Sequence, residues 1–203
     1  MKIQYLGHAC FKIISGKESL IIDPYADGSV DGLKPLREEA TEVIYSHKHT
    51  DHYGVDCVNI VEGKPEDVFK ISFVQSWHDD QEGALRGPNI IHVIECEGFK
   101  IVHMGDLGCP LNEMQKAQLL NIDVLMIPVG GHFTIDAKLA ASITSELSPR
   151  CVIPMHYRGK GFGFDVLGTV DDFTANFGDV KQIGNILTVN DKMPQVAVMD
   201  FRG

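Results

Sequence analysis

The run His47-Lys48-His49-Thr50-Asp51-His52 constrains this chain more than any other stretch. It gathers three imidazoles and a carboxylate directly after Val43-Ile44-Tyr45-Ser46, an apolar stretch that reads as a short buried strand. Side chains alternate along an extended chain, so His47 and His49 project the same way. Asp51 and His52 fall where a helix is expected to begin, so they project elsewhere. One strand-delivered loop thus offers two adjacent ligand positions. Imidazole with carboxylate suits zinc, iron or manganese.

The first third of the chain reads as strands over 3–6, 10–14 and 19–22, separated by Gly7 and by Ser15-Gly16-Lys17. Further strands are expected over 69–74, 90–96 and 99–103, the last two joined as a hairpin by Glu97-Gly98. Helices are expected over 111–121, 136–147 and 170–177. The second carries Leu139, Ile143 and Leu147 on one face and is stopped by Pro149. Between the helices, 123–128 and 151–154 read as buried strands. Strands followed by strand–helix units indicate two sheets flanked by helices. At 203 residues the chain reads as one domain, 1–203, with a substantial core, and no linker or low-complexity stretch divides it.

The formal net charge of −10 argues against a polyanion-binding surface, so nucleic acid is not the expected partner. Bound divalent cations would still make a pocket floor locally positive, which admits a small anionic substrate. The cysteines, at 10, 57, 96, 109 and 151, are odd in number and include no Cys-x-x-Cys pair. A reducing compartment follows, with each thiol a small buried residue rather than a ligand. There is no apolar leader and no apolar run of about 18 residues, so a cytoplasmic protein without a membrane span is expected. Self-association into a homo-oligomer is left open.

More ligand-type residues follow in order. His78 stands in Ser76-Trp77-His78-Asp79-Asp80, Asp106 in His103-Met104-Gly105-Asp106, and His156 in Ile153-Pro154-Met155-His156-Tyr157. Asp23 stands in Leu20-Ile21-Ile22-Asp23-Pro24. Together with His47, His49, Asp51 and His52, this order resembles the metallo-β-lactamase superfamily over nearly the whole chain. The resemblance implies an α/β fold, a four-layer αββα sandwich with two similar halves. A faint echo between the segments ending in Ile22-Asp23 and Gly105-Asp106 fits those halves. It also implies a ligand set: His47, His49 and His78 on one metal, Asp51, His52 and His156 on a second, and Asp106 bridging. Asp23 would support the ligand loop from behind. Two divalent ions, Zn²⁺ by default with Mn²⁺ or Fe as alternatives, would lower the pKa of a shared water towards about 7 and yield a hydroxide nucleophile.

Within the superfamily the chain is most similar to the compact lactonase-like branch that includes ascorbate-6-phosphate lactonase. The shared features are Tyr5-Leu6-Gly7-His8, Ile22-Asp23-Pro24, Gly130-Gly131-His132-Phe133-Thr134 and the segment around His156. The extra arm of RNA-processing members, the flavin domain of flavodiiron proteins and the C-terminal extension of glyoxalase-II-like enzymes have no counterpart here. The resemblance implies hydrolysis of a small ester, lactone or phosphodiester. Asp51 would orient the nucleophile, and His8 and His132 would lie near the metals. A small-nucleotide phosphodiesterase or nuclease, and a non-catalytic metal-binding sensor, are the alternatives on the same fold. Arg86, Tyr157 and Arg158 are candidate contacts for an anionic substrate group, because a guanidinium fork suits carboxylate or phosphate. Glycines at 159, 161, 163 and 168 are expected to make the segment after His156 a mobile lid. His92 and His103 read as structural.

Overall fold

Two β-sheets face each other across a shared apolar layer, and strand alternation decides which residues enter it. The structure is a computed structural model and describes residues 1–201. In chain order the strands of the first half are β1 (Lys2–Gly7), β2 (Cys10–Ser15), β3 (Glu18–Ile22), β4 (Glu38–Ala40), β5 (Glu42–Ile44), β6 (Val58–Ile60) and β7 (Lys70–Trp77). Those of the second half are β8 (Pro88–Cys96), β9 (Phe99–His103), β10 (Val124–Pro128), β11 (Cys151–Met155), β12 (Val180–Ile183), β13 (Ile186–Thr188) and β14 (Val196–Met199). The α-helices are α1 (Glu113–Gln118), α2 (Ala137–Leu147) and α3 (Asp171–Thr174). One sheet has the order β13-β1-β2-β3-β5, the other β12-β14-β11-β10-β9-β8-β7, and β4 pairs with β6 in a small ribbon.

In β3, Leu20 and Ile22 point between the sheets while Ile21 points outward. In β9 and β10, Ile101, Val124 and Met126 meet them from the second sheet, and Val102, Leu125 and Ile127 turn to the other face. Both faces of these strands are covered, which is why β10 and β11 are buried at every position and apolar almost throughout. Leu119, Ile143, Leu147 and Phe173, from α1 to α3 and their flanks, cover the outer face of the second sheet. Asp136 caps α2, accepting from the backbone N–H of Leu139 at 2.8 Å. Ser148 ends it in the left-handed conformation, one residue before Pro149.

The outer layer over the first sheet departs from the expectation. Tyr25, Val30, Leu36, Ala40 and Val58 cover it, from irregular chain and the β4–β6 ribbon rather than from an α-helix. The helix expected at Asp51 is replaced by a turn closed by His52 N–H on the His49 carbonyl (2.9 Å), followed by a 3₁₀ turn over Val55–Cys57. The strand before the loop, β5, is a half-buried edge strand rather than a buried one. The helix expected over 111–121 contracts to α1, and that expected over 170–177 contracts to α3. The segment after His156 is tied down rather than free. Gly163 N–H donates to the Asp31 carbonyl (2.9 Å), and Arg158 N–H to that of Gly168 (2.9 Å). Among the described residues no helix is long and apolar enough to cross a membrane.

Pairing fixes where a site can form. β1 and β3 are both antiparallel to β2, and β3 is parallel to β5, so all three run the same way. β7, β9, β10 and β11 likewise share a direction through β8. The C-terminal ends of both sets open on one edge of the sandwich, where sheets of this kind gather their functional loops. His8, Asp23, the 47–52 loop, His78, Asp106 and His156 follow those ends in turn.

Candidate metal centre

Backbone geometry aims the side chains. Non-glycine residues with positive φ are uncommon, yet His8 (56°), Asp23 (49°) and His156 (54°) each take one just past β1, β3 and β11. The reversal swings the His8 and His156 rings towards the cleft and the Asp23 carboxylate beneath it, against Ser46 and His52. Gly105 (φ 55°) does the same before Asp106, and a Cβ there would run into Asn89 and Ser46, so only glycine fits.

Two groups of ligand-type atoms result. His47, His49 and His78 place ring nitrogens within 4.8 Å of one another, as do His8, Asp51, His52 and His156 with their own donor atoms. Asp106 lies between the groups. Its Oδ2 is 3.2 Å from His78 Nε2 and 3.8 Å from His47 Nε2. On the other side it is 3.1 Å from His52 Nε2 and 3.3 Å from His156 Nε2.

Donors that share one zinc at about 2.0–2.1 Å stand roughly 3.3 Å apart in a tetrahedron, which the short Asp106 separations match. Nε2 of His47, His52 and His156 and Oδ1 of Asp106 are buried without a hydrogen-bond partner. Orphaned buried polar atoms converging on one point call for an ion. The residues present therefore fit a divalent metal centre.

Asp23 sets the histidine tautomers from behind. Its carboxylate accepts from Ser46 N–H (2.6 Å), Ser46 Oγ–H (2.7 Å) and His52 Nδ1–H (2.9 Å). Burial would raise its pKa, but His52, His103 and these hydrogen bonds outweigh burial and hold it at about 2. An ionised Asp23 only accepts, so Ser46 spends its proton there. Ser46 Oγ must then accept from His47 Nδ1 (2.9 Å). Both His47 and His52 thus commit Nδ1 to these hydrogen bonds and turn Nε2 towards the cleft. Burial and the neighbouring His52 depress the His47 pKa to about 3. For His52 itself, burial is overcome by the Asp106 and Asp23 carboxylates, which raise it.

Asp51 is likewise held ionised. Burial opposes this, but the His8 hydrogen bond and the charge of His52 lower its pKa. Its Oδ2 accepts from His8 Nε2 at 3.2 Å. His8 is held down to about 4 by burial and by His156, whose ring lies 4.0 Å away. His8 is therefore neutral, with its proton on Nε2 facing Asp51.

Asn89 pins the central carboxylate loop. Its Oδ1 accepts from Asp106 N–H (2.9 Å), while its Nδ2 donates to the Met104 carbonyl (2.9 Å) and to Ser76 Oγ (2.8 Å). His103 holds the same turn from inside the core, accepting from Gly105 N–H (3.1 Å) and donating to the Ala9 carbonyl (2.9 Å). His92 donates to the Tyr45 carbonyl (3.0 Å).

Above the cluster lies a cavity of about 400 Å³ lined by Ser29, His49, Thr50, Asp51, His78, Arg86, Asp106, Phe133 and Phe164. Among the described residues that line it, Arg86 is the one fixed cationic side chain. The guanidinium lies 5.7 Å over the Phe133 ring and donates through Nη2 to the His132 carbonyl (3.3 Å). The buried Asp79 carboxylate holds the loop that carries it. Asp79 accepts from the backbone N–H groups of Gln81 (2.8 Å), Gly83 (2.9 Å), Leu85 (3.0 Å) and Arg86 (2.7 Å).

Three expected site residues stand elsewhere. His132 is exposed, its ring packs on Phe133 (4.5 Å), and only its carbonyl meets the site, through Arg86. Tyr157 is buried in the helix-side core against Phe162, because the left-handed turn at His156 sends the next side chain to the opposite face. Arg158 turns away to donate from Nε to the Leu167 carbonyl (3.1 Å). Asn89, Asp79, Phe133 and Phe164 were not singled out from sequence. A lone amide between Pro88 and the apolar Ile90-Ile91 was the available signal for Asn89. The two phenylalanines carried none, because their place depends on loops meeting from both halves.

Sheet order and a strand-end His/Asp cluster of this kind define a metallo-β-lactamase-type metallohydrolase, and comparison with known proteins agrees. The profile of the beta-lactamase superfamily domain matches residues 2–156. A UPF0173 metal-dependent hydrolase of Thermococcus onnurineus is 34% identical, the match covering 77% of this chain and 84% of that protein. A crystal structure from Thermotoga maritima, provisionally described as a Zn-dependent hydrolase of the metallo-β-lactamase superfamily, is 33% identical. It covers 99% of both chains with a TM-score of 0.77. An isothiocyanate hydrolase from Delia radicum gut bacteria shares the fold alone, at 15% identity and a TM-score of 0.64 over 86% of this chain and 91% of that one. The chain belongs to the UPF0173 family of metal-dependent hydrolases within the metallo-β-lactamase superfamily.

Proposed function

We propose that the chain is a dinuclear hydrolase of small ester, lactone or phosphodiester substrates that carry an anionic group. The observation that carries this reading is Asp106 Oδ2, which lies within 3.3 Å of a histidine from each ligand group. A carboxylate shared in this way is what holds two cations about 3.5–4 Å apart. His47, His49 and His78 would hold one cation and Asp51, His52 and His156 the other. Zinc suits five histidines and two aspartates, with manganese or iron as alternatives. The pair would supply Lewis acidity and a water acidic enough to attack near neutral pH.

The chain's own residues do the rest. Asp51, whose pKa is lowered, is a poor base but a good acceptor, so it orients the attacking water rather than keeping its proton. His8 fixes the Asp51 carboxylate. Arg86 holds the anionic group of the substrate at the cavity wall, and Phe133 and Phe164 exclude bulk water on the side facing it. The motifs Tyr5-Leu6-Gly7-His8 and Gly130-Gly131-His132-Phe133-Thr134 support the lactonase-like branch.

The test is elemental analysis of protein purified without chelators or added metal, followed by a lactone panel set against bis(p-nitrophenyl) phosphate. The expected result is about two equivalents of metal and turnover on one substrate class, both lost in Asp106→Ala. Full metal content and activity in that variant would remove the bridging role. Two bound metals with silence on both classes would favour a sensor.

A further inference from the structure

A second cavity, of about 480 Å³, adjoins the one above the metal ligands and shares His49 and Arg86 with it. Tyr45, Lys48, Gln75, Pro88 and Ile90 line it, between the end of β5 and the β7–β8 hairpin at the open side of the sandwich. Its wall is predominantly carbon. The ammonium of Lys48 is drawn onto the Tyr45 and Tyr53 rings, at 6.0 and 5.4 Å. The guanidinium of Arg86 is committed to the metal side, over Phe133 and onto the His132 carbonyl, so its aliphatic stem is what borders the second cavity. The cavity over the ligands thus adjoins a recess of small-molecule size whose wall is more strongly apolar than its own.

We propose that this recess is the subsite for an apolar arm of the substrate, and that the substrate is an ester whose acid half carries a medium-length alkyl or aryl chain. The proposal rests on the hydrolytic reading above. With the acyl carbon over Asp106, the arm passes between His49 and Arg86 into the recess. Water's oxygen bonds to the acyl carbon and the acyl C–O bond breaks; one of water's protons goes to the departing oxygen and the other is released to solvent. The products are a carboxylate, left beside Arg86 with its chain still in the recess, and an alcohol.

Binding of acetate and octanoate to the metal-loaded protein, by calorimetry, tests this together with hydrolysis of their p-nitrophenyl esters. A buried methylene contributes up to about fourfold in affinity, so octanoate is expected to bind at least about tenfold more tightly than acetate, and its ester to show the lower KM. Ile90→Trp and Gln75→Trp each fill the recess. Both are expected to bring the octanoate-to-acetate ratio to within about twofold of unity while leaving acetate binding and metal content unchanged. Gln75 is exposed on the edge strand, so Gln75→Trp carries the test alone should Ile90→Trp not fold. Equal binding of the two acids by the wild type, or an unchanged ratio in the Gln75 variant, overturns the subsite. Turnover of both esters with equal kcat/KM and equal binding keeps the hydrolytic reading and discards the recess. A preference for octanoate without cleavage of either ester overturns the ester assignment, and the lactone and phosphodiester panel then decides the hydrolytic reading separately.

Discussion

Asp23 shows how much one buried residue decides here. It touches no substrate cavity, yet three hydrogen bonds from Ser46 and His52 end on it, and through Ser46 it also sets His47. Asp23→Ala would leave those donors buried without an acceptor, at a cost of about 3–5 kcal/mol. It would also free both imidazoles to change tautomer. Metal affinity is expected to fall about 10–100-fold, measured by competition with a chromogenic chelator. Unchanged affinity would mean that the histidines are oriented by something other than Asp23. At this scale the convergence of His47, His49, Asp51, His52, His78, Asp106 and His156 was legible, because His and Asp at strand ends have few other uses. Tyr157 and His132 were not, because one left-handed residue redirects everything after it and a sequence does not display φ. His8 was legible as a neighbour of the site, but its partner, Asp51, becomes visible only when β1 and the 47–52 loop are brought together.

Among the elements, the loop after β7 carries the clearest division of labour. His78 faces the His/Asp cluster, and the adjacent Asp79 gathers four backbone N–H groups so that Arg86 arrives over the cavity. Asp79→Asn keeps one accepting oxygen and loses the other, so the loop should loosen while His78 stays in place. For an anionic substrate KM is expected to rise about tenfold with kcat changed less than about threefold. Metal content should hold, and Arg86→Ala should add little on top, as residues acting through one another do. A loss of kcat with intact KM, or fully additive effects, would contradict this role for Asp79. Elements with strong periodicity, such as β9, β10 and α2, were read close to their true bounds. No strand was read after Phe177, although β12, β13 and β14 complete both sheets. β12 and β13 are short edge strands, Lys181 and Gln182 interrupt the apolar pattern of β12, and the pairing of β13 to β1 is remote in sequence. The helix expected at Asp51 failed for a related reason. The turn there is closed by His49 and packed by the cluster, which overrides local propensity.

For the whole molecule, pH and metal act on the same groups, and their combined sign is testable. Without metal, His8 and His47 are neutral in the fold down to about 4 and about 3, whereas unfolded histidine titrates near 6.5. Below pH about 6.5 the unfolded chain therefore binds more protons, and stability falls with pH by up to about 1.4 kcal/mol per group per unit. His52 has the opposite sign. Its folded pKa is raised, so its contribution is complete below about 6.5 and is lost as pH rises through that raised value. Asp23, at about 2, contributes stability that is present above about pH 4 and disappears only in strong acid. The metal-free protein should then be most stable near pH 6.5 and lose Tm on both sides. Cations at the cluster hold His47, His52 and His156 unprotonated, so protons compete with them and affinity grows with pH. Cations present at about 1,000 times their Kd add about 4 kcal/mol, or roughly 10 °C in Tm for a chain of this size. The gap between loaded and chelator-treated protein should therefore be widest at pH 8–9 and should narrow steadily towards pH 5. Thermal unfolding followed by circular dichroism across that range, with and without metal, measures it. A gap independent of pH would mean that the ion is not held by these histidines. A metal-free Tm that climbs throughout from pH 6 to 9 would mean that His52 is not raised by Asp23 and Asp106.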